Sequence, residues 1–288
     1  MGNWAIKKSM HLYDAIISFM TNLKALARRL RQEAIGMLYQ AQSGHPGSTL
    51  STMEVLVALY FGGLLKHNPK KPNDLQRDYF LLSNGHACPA LYVVLAHAGY
   101  FPLAELKKLR QLGAGAQGHP HRGSLPGIEI SSGSLGQGLS VGIGLAYAHT
   151  LRRQKNHIFV LMSDGEQEEG STWEAIMLAP KLKLRNLIAI VDKNQWQIDG
   201  ATKDIMPALD SLADKYRAFH WHVQEINGHN FAEIRAAIQR AKAVRQPTVI
   251  ISHTVRGKGV SFMEGSSHWH AGAISPAQYE QAVMELTV

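Results

Sequence analysis

Residues 158–200 read IFVLMSDGEQEEGSTWEAIMLAPKLKLRNLIAIVDKNQWQIDG, and the fold class follows from this stretch. An apolar run, Ile158–Met162, gives way to Ser163-Asp164-Gly165. An amphipathic segment, Thr172–Leu182, follows, and a second apolar run, Leu187–Val191, ends in Asp192-Lys193-Asn194. Short runs rich in Ile, Val and Leu with a helical segment between them predict parallel strands covered on both faces. Asp164 and Asn194 then stand just past two strands, and the 28 residues between Gly165 and Asn194 match one βαβ crossover. Open α/β sheets bind ligands at that end of their strands.

Working outward, Asp78–Leu82, His222–Ile226 and Thr248–Ile251 read as further buried strands. Helices are predicted over Leu12–Tyr39, Thr52–Gly62, His86–Ala98, Leu135–Arg153, Ala208–Phe219 and Ala232–Val244. In the first of these, Leu23, Leu26, Ala27 and Leu30 recur at spacings of three and four. The expectation is an α/β fold, a mostly parallel sheet with helices on both faces. It forms one domain over residues 1–288, with 1–40 as a helical N-terminal extension.

Composition excludes several classes. Hydrophobic residues make up 45% of the 288 and charged residues 18%, ordinary for a globular protein. Cys88 is the single cysteine, so no internal disulfide framework exists. No apolar stretch approaches the ~20 residues of a membrane span, and no signal peptide is visible; a cytoplasmic protein is expected. The net charge is +8. Its basic clusters, Arg28–Arg31, Lys70–Lys71 and Arg152–Lys155, lack the aromatic interleaving of a single-strand groove, so no nucleic acid partner is expected. His97, His149 and His157 read as surface or capping residues. His119-Pro120-His121 and His268-Trp269-His270 lack a thiolate or a third spaced ligand, so zinc is not expected. Met162 and Met177 read as core.

Asp164 and Asn194 carry the chemistry. A carboxylate, an amide oxygen and a nearby carbonyl are hard oxygen ligands of the kind Mg²⁺ or Ca²⁺ takes, and a diphosphate would complete the shell. Ser132-Gly133-Ser134-Leu135-Gly136-Gln137-Gly138, opening a helix, offers backbone N–H groups to an anion. Taken singly, Asp164-Gly165 is a loop turn and Asn194 a cap. At this spacing beyond two strands, the metal reading is favoured.

The segment from Asp164-Gly165 to Asn194 resembles the thiamine-diphosphate fingerprint, Gly-Asp-Gly followed nearly thirty residues later by Asn. Ser43-Gly44-His45-Pro46-Gly47, Ser83-Asn84-Gly85-His86-Ala87, Gly118-His119-Pro120, Gly133–Gly138 and Ile198-Asp199-Gly200 resemble transketolase segments in the same order. The similarity runs from about Leu30 to Gly272. It implies transfer of a two-carbon ketol unit from a ketose phosphate to an aldose, with Mg²⁺ and thiamine diphosphate as cofactors. Asp164, Asn194 and the carbonyl of Trp196 would hold the metal. Gly165 and His86 would contact the diphosphate, and Gly133 and Leu135 would lie against the cofactor. His45, His119 and His270 would bind sugar hydroxyls and assist proton transfer, an imidazole's ordinary value near 6.5 making both protonation states accessible. Glu169 and Glu174 would join an acidic relay between cofactor sites across a dimer interface, with Glu169 in the turn before the helix. The other acids of Glu166–Glu169 read as a solvated turn.

The departures concern the metal loop and the sugar channel. Ser163 replaces the first glycine of the fingerprint, which predicts a small backbone adjustment. His121 stands where transketolases commonly have an acid, and Ala271 is inserted between His270 and Gly272. Only 34 residues follow Thr254, too few for the pyrimidine-binding domain of a full transketolase. The resemblance therefore implies the N-terminal subunit of a split enzyme, whose partner is a separate C-terminal subunit. A thiamine-diphosphate synthase or 2-oxo-acid dehydrogenase subunit, or a non-catalytic relative, is the alternative; the histidine series favours transketolase.

Overall fold

Successive side chains along a strand leave in opposite directions, and here both directions lead into a core. In the computed structural model, which describes residues 2–287 with side chains from Met20 to Thr287, five strands form one parallel sheet in the order β1-β2-β3-β5-β4. They are β1 (Tyr79–Leu82), β2 (Ile158–Ser163), β3 (Leu187–Lys193), β4 (His222–Asn227) and β5 (Thr248–His253). The helices are α1 (Gly2–Ala41), α2 (Pro46–Ser51), α3 (Met53–Phe61), α4 (Cys88–His97) and α5 (Gly138–Leu151), then α6 (Gly170–Lys181), α7 (Thr202–Ile205), α8 (Leu212–Ala218), α9 (Phe231–Ala243) and α10 (Pro276–Thr287).

Phe80, Leu82, Phe159, Leu161, Ile188, Ile190 and Ile250 pack on one face with residues of α1, α3, α4 and α9. Their neighbours Tyr79, Leu81, Ile158, Val160, Leu187, Ala189 and Val249 pack on the other with α5, α6 and α8. Strands β1 to β4 advance in one direction through crossovers on the second face, while β5 steps back beside β3. Its helix, α9, lies on the first face, as a right-handed crossover requires when the direction reverses.

The predicted strands all form, with β2, β3, β4 and β5 one or two residues longer than expected. One differs in character: β4 is the sheet edge and is only half buried, with Glu225 and Asn227 exposed. An edge strand needs apolar side chains on one face only. The helix α10 was not foreseen, because only Ala282 and Leu286 on it are buried. Met162 is core, but Met177 is 55% exposed on α6, since the core-facing residues of that helix are Ala175, Ile176 and Ala179. From Leu23 onward α1 belongs to the first core, burying Leu23, Ala27, Leu30, Ala34 and Leu38 at helical spacing.

A buried ion pair locks α1 to the sheet. The Arg31 guanidinium meets both carboxylate oxygens of Glu54 on α3 and also donates to Leu50 O at 2.9 and 3.0 Å. His229 Nδ1 lies 2.9 Å from Glu54 Oε2, and its Nε2 accepts from Val255 N at 2.8 Å. Burial alone would raise the Glu54 carboxyl, but Arg31 and His229 outweigh it and hold it at about 2. That lies below its unfolded value of 4.5. Its contribution is therefore complete above pH 4.5 and is lost as pH falls toward 2. Arg31→Ala strands a buried carboxylate and is expected to cost about 3–5 kcal/mol. Urea unfolding at neutral pH measures this, and a change below about 0.5 kcal/mol would contradict it.

Candidate active site

At the carboxyl ends of β1, β2, β3 and β5 the chain gathers polar groups on an apolar base. Ser163 ends β2 and Asp192 lies opposite it on β3. Asp164 follows in the first turn, its Oδ1 accepting from Gly165 N at 2.9 Å and its Oδ2 from Gln195 N at 2.6 Å. Asp192 is fully buried and accepts from Ser51 Oγ at 2.6 Å and from Thr254 Oγ1. Asn194 donates its amide to Asp192 Oδ2 at 3.0 Å, and its Oδ1 accepts from Trp196 N at 3.1 Å. That turn is tight: Gln195 takes φ +69°, which a non-glycine residue adopts only under local constraint.

These two acids lie side by side without an ion pair. Among the described residues no lysine, arginine or histidine forms a salt bridge with either; Arg256 is the nearest cation named for them. Burial first, and then Asp192, push the Asp164 carboxyl up to about 7. A small cation coordinated by hard oxygens would reverse that penalty, so the donor set fits the divalent metal expected there.

Glycine-rich segments close the other walls. Gly133 has φ +139°, and a Cβ on it would come within 3.0 Å of the His119 ring. Gly47 lets Arg256 approach, since a Cβ there would meet Arg256 Nε at 2.6 Å. A cavity of about 330 Å³ results, lined by His45, His86, His119, His270, Gly133, Leu135, Asp164, Gly165, Asn194 and Trp196. Every residue expected around cofactor and sugar is therefore brought together, apart from the two relay acids. Glu169 caps the start of α6 and Glu174 lies within that helix; both are exposed, and neither lines the cavity.

The imidazoles form a cluster centred on His45, whose ring centroid lies 5.4 Å from His86, 5.6 Å from His119 and 5.3 Å from His270. His86 Nε2 meets Ser48 Oγ at 3.1 Å, while His45 Nδ1 and His270 Nδ1 are buried without partners. The expectation of two accessible protonation states fails here. Burial, followed by His270 and His119, lowers His45 to about 3. Burial and Arg256 lower His270 to about 4, and His86 and His119 also shift down.

Three residues escaped the sequence reading. Glu166 is wholly buried: its carboxylate accepts from Ser83 Oγ, from Gly136 N at 2.9 Å and from Ser163 N at 3.3 Å. It thus ties the ends of β1 and β2 to the glycine-rich loop, where a solvated turn was expected. Ser163 Oγ accepts from Glu166 N at 3.3 Å, a reciprocal Ser-x-x-Glu box whose spacing was visible in the sequence. Ser163 stays within β2 without positive φ, so replacing glycine requires no left-handed backbone. Asp192 is the second. Arg256 is the third: buried, bonded through Nη1 to Gln197 O at 3.2 Å, with Nε and Nη2 unpartnered.

Residues 23–286 match the family described as transketolase, thiamine diphosphate binding domain. The chain belongs to the transketolase family. One of the two subunits of an apulose-4-phosphate transketolase, from Phocaeicola vulgatus, is 41% identical over 266 residues, covering 92% of this chain and 94% of its own length. A 6-deoxy-6-sulfo-D-fructose transketolase subunit from a Clostridium species is 44% identical over 260 residues, covering 90% and 93%. The crystal structure of transketolase from Campylobacter jejuni superposes with a TM-score of 0.85 at 34% identity over 92% of this chain, but over only 42% of its own. The chain therefore spans about two fifths of that longer transketolase and nearly all of the two subunits. Like them a transketolase-type subunit, it carries the thiamine diphosphate-binding fold.

Because the folded values of His45 and His270 lie below 6.5, protons favour the unfolded chain, and their neutral forms persist in the fold at neutral pH. Histidine NMR of the purified chain is expected to show no titration of these two rings between pH 5 and 8. An inflection near 6.5 for either would contradict the packed cluster.

Proposed function

We propose that this chain is the diphosphate-binding half of a split transketolase. With a separate subunit carrying the pyrimidine-binding domain, it transfers a two-carbon ketol unit from a ketose phosphate to an aldose phosphate. The observation that carries the reading is the convergence of four neutral imidazoles on the Asp164–Asn194 loop pair in one cavity. The two relatives whose own names call them subunits, and whose lengths this chain nearly matches, support the division into two polypeptides.

Asp164, Asn194 and the Trp196 carbonyl hold Mg²⁺ in this reading. His86 and Gly165 face the diphosphate, and the unpartnered guanidinium of Arg256 adds positive potential beneath it. Gly133 and Leu135 lie against the cofactor, glycine permitting the close approach. Thiamine diphosphate, once bound, supplies an electron sink for the two-carbon fragment. His45, His119 and His270 orient the hydroxyls of the ketose. Being neutral, each can accept a proton at one ring nitrogen and donate from the other. Glu169 and Glu174 serve a contact between copies rather than the cavity. Their exposure at the start of α6, beside exposed Met177 and Leu178 on the same helix, supports that placement.

The test is a coupled transketolase assay of the chain mixed with its partner subunit, using several ketose phosphates as donors. Activity is expected only with both subunits, and His45→Ala is expected to lower kcat/KM on the order of 10²–10⁴-fold. Full activity from this chain alone, or an unaffected His45→Ala enzyme, would refute the reading.

A further inference from the structure

Below the amino ends of β2 and β3, at the opposite end of the sheet from the imidazole cluster, lies a second cavity of about 390 Å³. Its wall comes from segments that lead into strands. The connection after α5 brings Arg153 and Lys155, Arg185 and Asn186 immediately precede β3, and Lys242 and Arg245 flank the end of α9. No carboxylate lines it.

Lys242 is already engaged, with Nζ 2.6 Å from Leu64 O and 3.4 Å from Asp78 Oδ2. Asp78, the nearest acid to this group, also pairs with His157 at 3.6 Å. Arg153, Lys155, Arg185 and Arg245 form no ion pair among the described residues, and all four are exposed. A plain explanation exists for part of this. Cations are stabilised at helix carboxyl ends, which accounts for Arg153 after α5 and Arg245 after α9. It does not account for Lys155 or Arg185, nor for four like charges converging on one hollow. Soluble surfaces normally intersperse the signs.

We propose that this cavity binds a small phosphate ester bearing at least two phosphate groups. Four uncompensated cations exceed what one phosphate neutralises. Arginine forks grip phosphate oxygens in pairs, and the volume lies within the range of small-molecule sites. Asn186 adds an acceptor. Its Nδ2 donates to Ala146 O at 3.1 Å and Asn156 O at 3.4 Å, which leaves its buried Oδ1 without a donor. That suits a ligand carrying hydroxyls beside its phosphates. The occupant would brace the starts of β2 and β3, the strands that end at Asp164 and Asn194.

The proposal is independent of the transketolase reading and is tested without turnover. Calorimetric titration of the metal-free chain with inorganic monophosphate and triphosphate is the measurement. Triphosphate is expected to bind at least tenfold more tightly, with affinity falling as salt rises. Arg185→Gln/Arg245→Gln is expected to weaken it at least tenfold with an unchanged ligand-free melting temperature. Lys155→Gln, a single exposed change, moves affinity in the same direction, whereas His86→Ala, in the other cavity, leaves it intact. Triphosphate binding lost in His86→Ala but kept in the double variant would assign the anion to the first cavity and overturn the proposal. Equal, millimolar binding of both anions, or tighter binding of a single-stranded oligonucleotide than of triphosphate, would overturn it as well.

Discussion

Two buried carboxylates, Asp164 and Asp192, lie side by side at the ends of adjacent parallel strands without an ion pair. Placing charge in an apolar interior is costly unless a counter-charge or hydrogen bonds offset it. The protein spends hydrogen bonds on both acids: backbone donors on Asp164, and hydroxyl and amide donors on Asp192. Those bonds in turn dictate the conformations of the loops after β2 and β3, including the strained Gln195. Much of the site's shape follows from keeping these acids where a cation can reach them.

Rigidity beneath the site makes this arrangement durable. The sheet is covered on both faces, and α1 is held to α3 by the Arg31–Glu54 pair. Glu166 carries that rigidity upward by joining Ser83, Ser163 and Gly136 through one carboxylate. The imidazole cluster rests on this frame. Gly133 leaves room for the His119 ring, and burial holds the four rings neutral, so they act as positioned hydrogen-bonding groups rather than as charges.

The parts of this architecture readable from sequence are those governed by local periodicity. The apolar runs of β2 and β3 named the parallel sheet because burial on both faces removes alternation, and the residues just past them named the loops of the site. What escaped depends on contacts distant in sequence. Glu166 looks like one acid of a polar turn until Gly136 and Ser83 close over it. Arg256 reads as an ordinary basic residue after β5, and only the approach past Gly47 shows it buried. The edge position of β4 follows from strand order, which no local pattern encodes. The ring neutrality of His45 likewise depends on three other histidines drawn from separate segments.

The pairing of a cation with Asp164 is the central claim, and thermal unfolding of the purified chain with and without Mg²⁺ plus thiamine diphosphate tests it most directly. Asp164→Asn relieves the buried charge, so the variant is expected to melt higher than the wild type without ligands. It is also expected to lose the ligand-induced rise that the wild type shows. A variant that melts no higher alone and gains as much from Mg²⁺ and cofactor as the wild type would contradict the account.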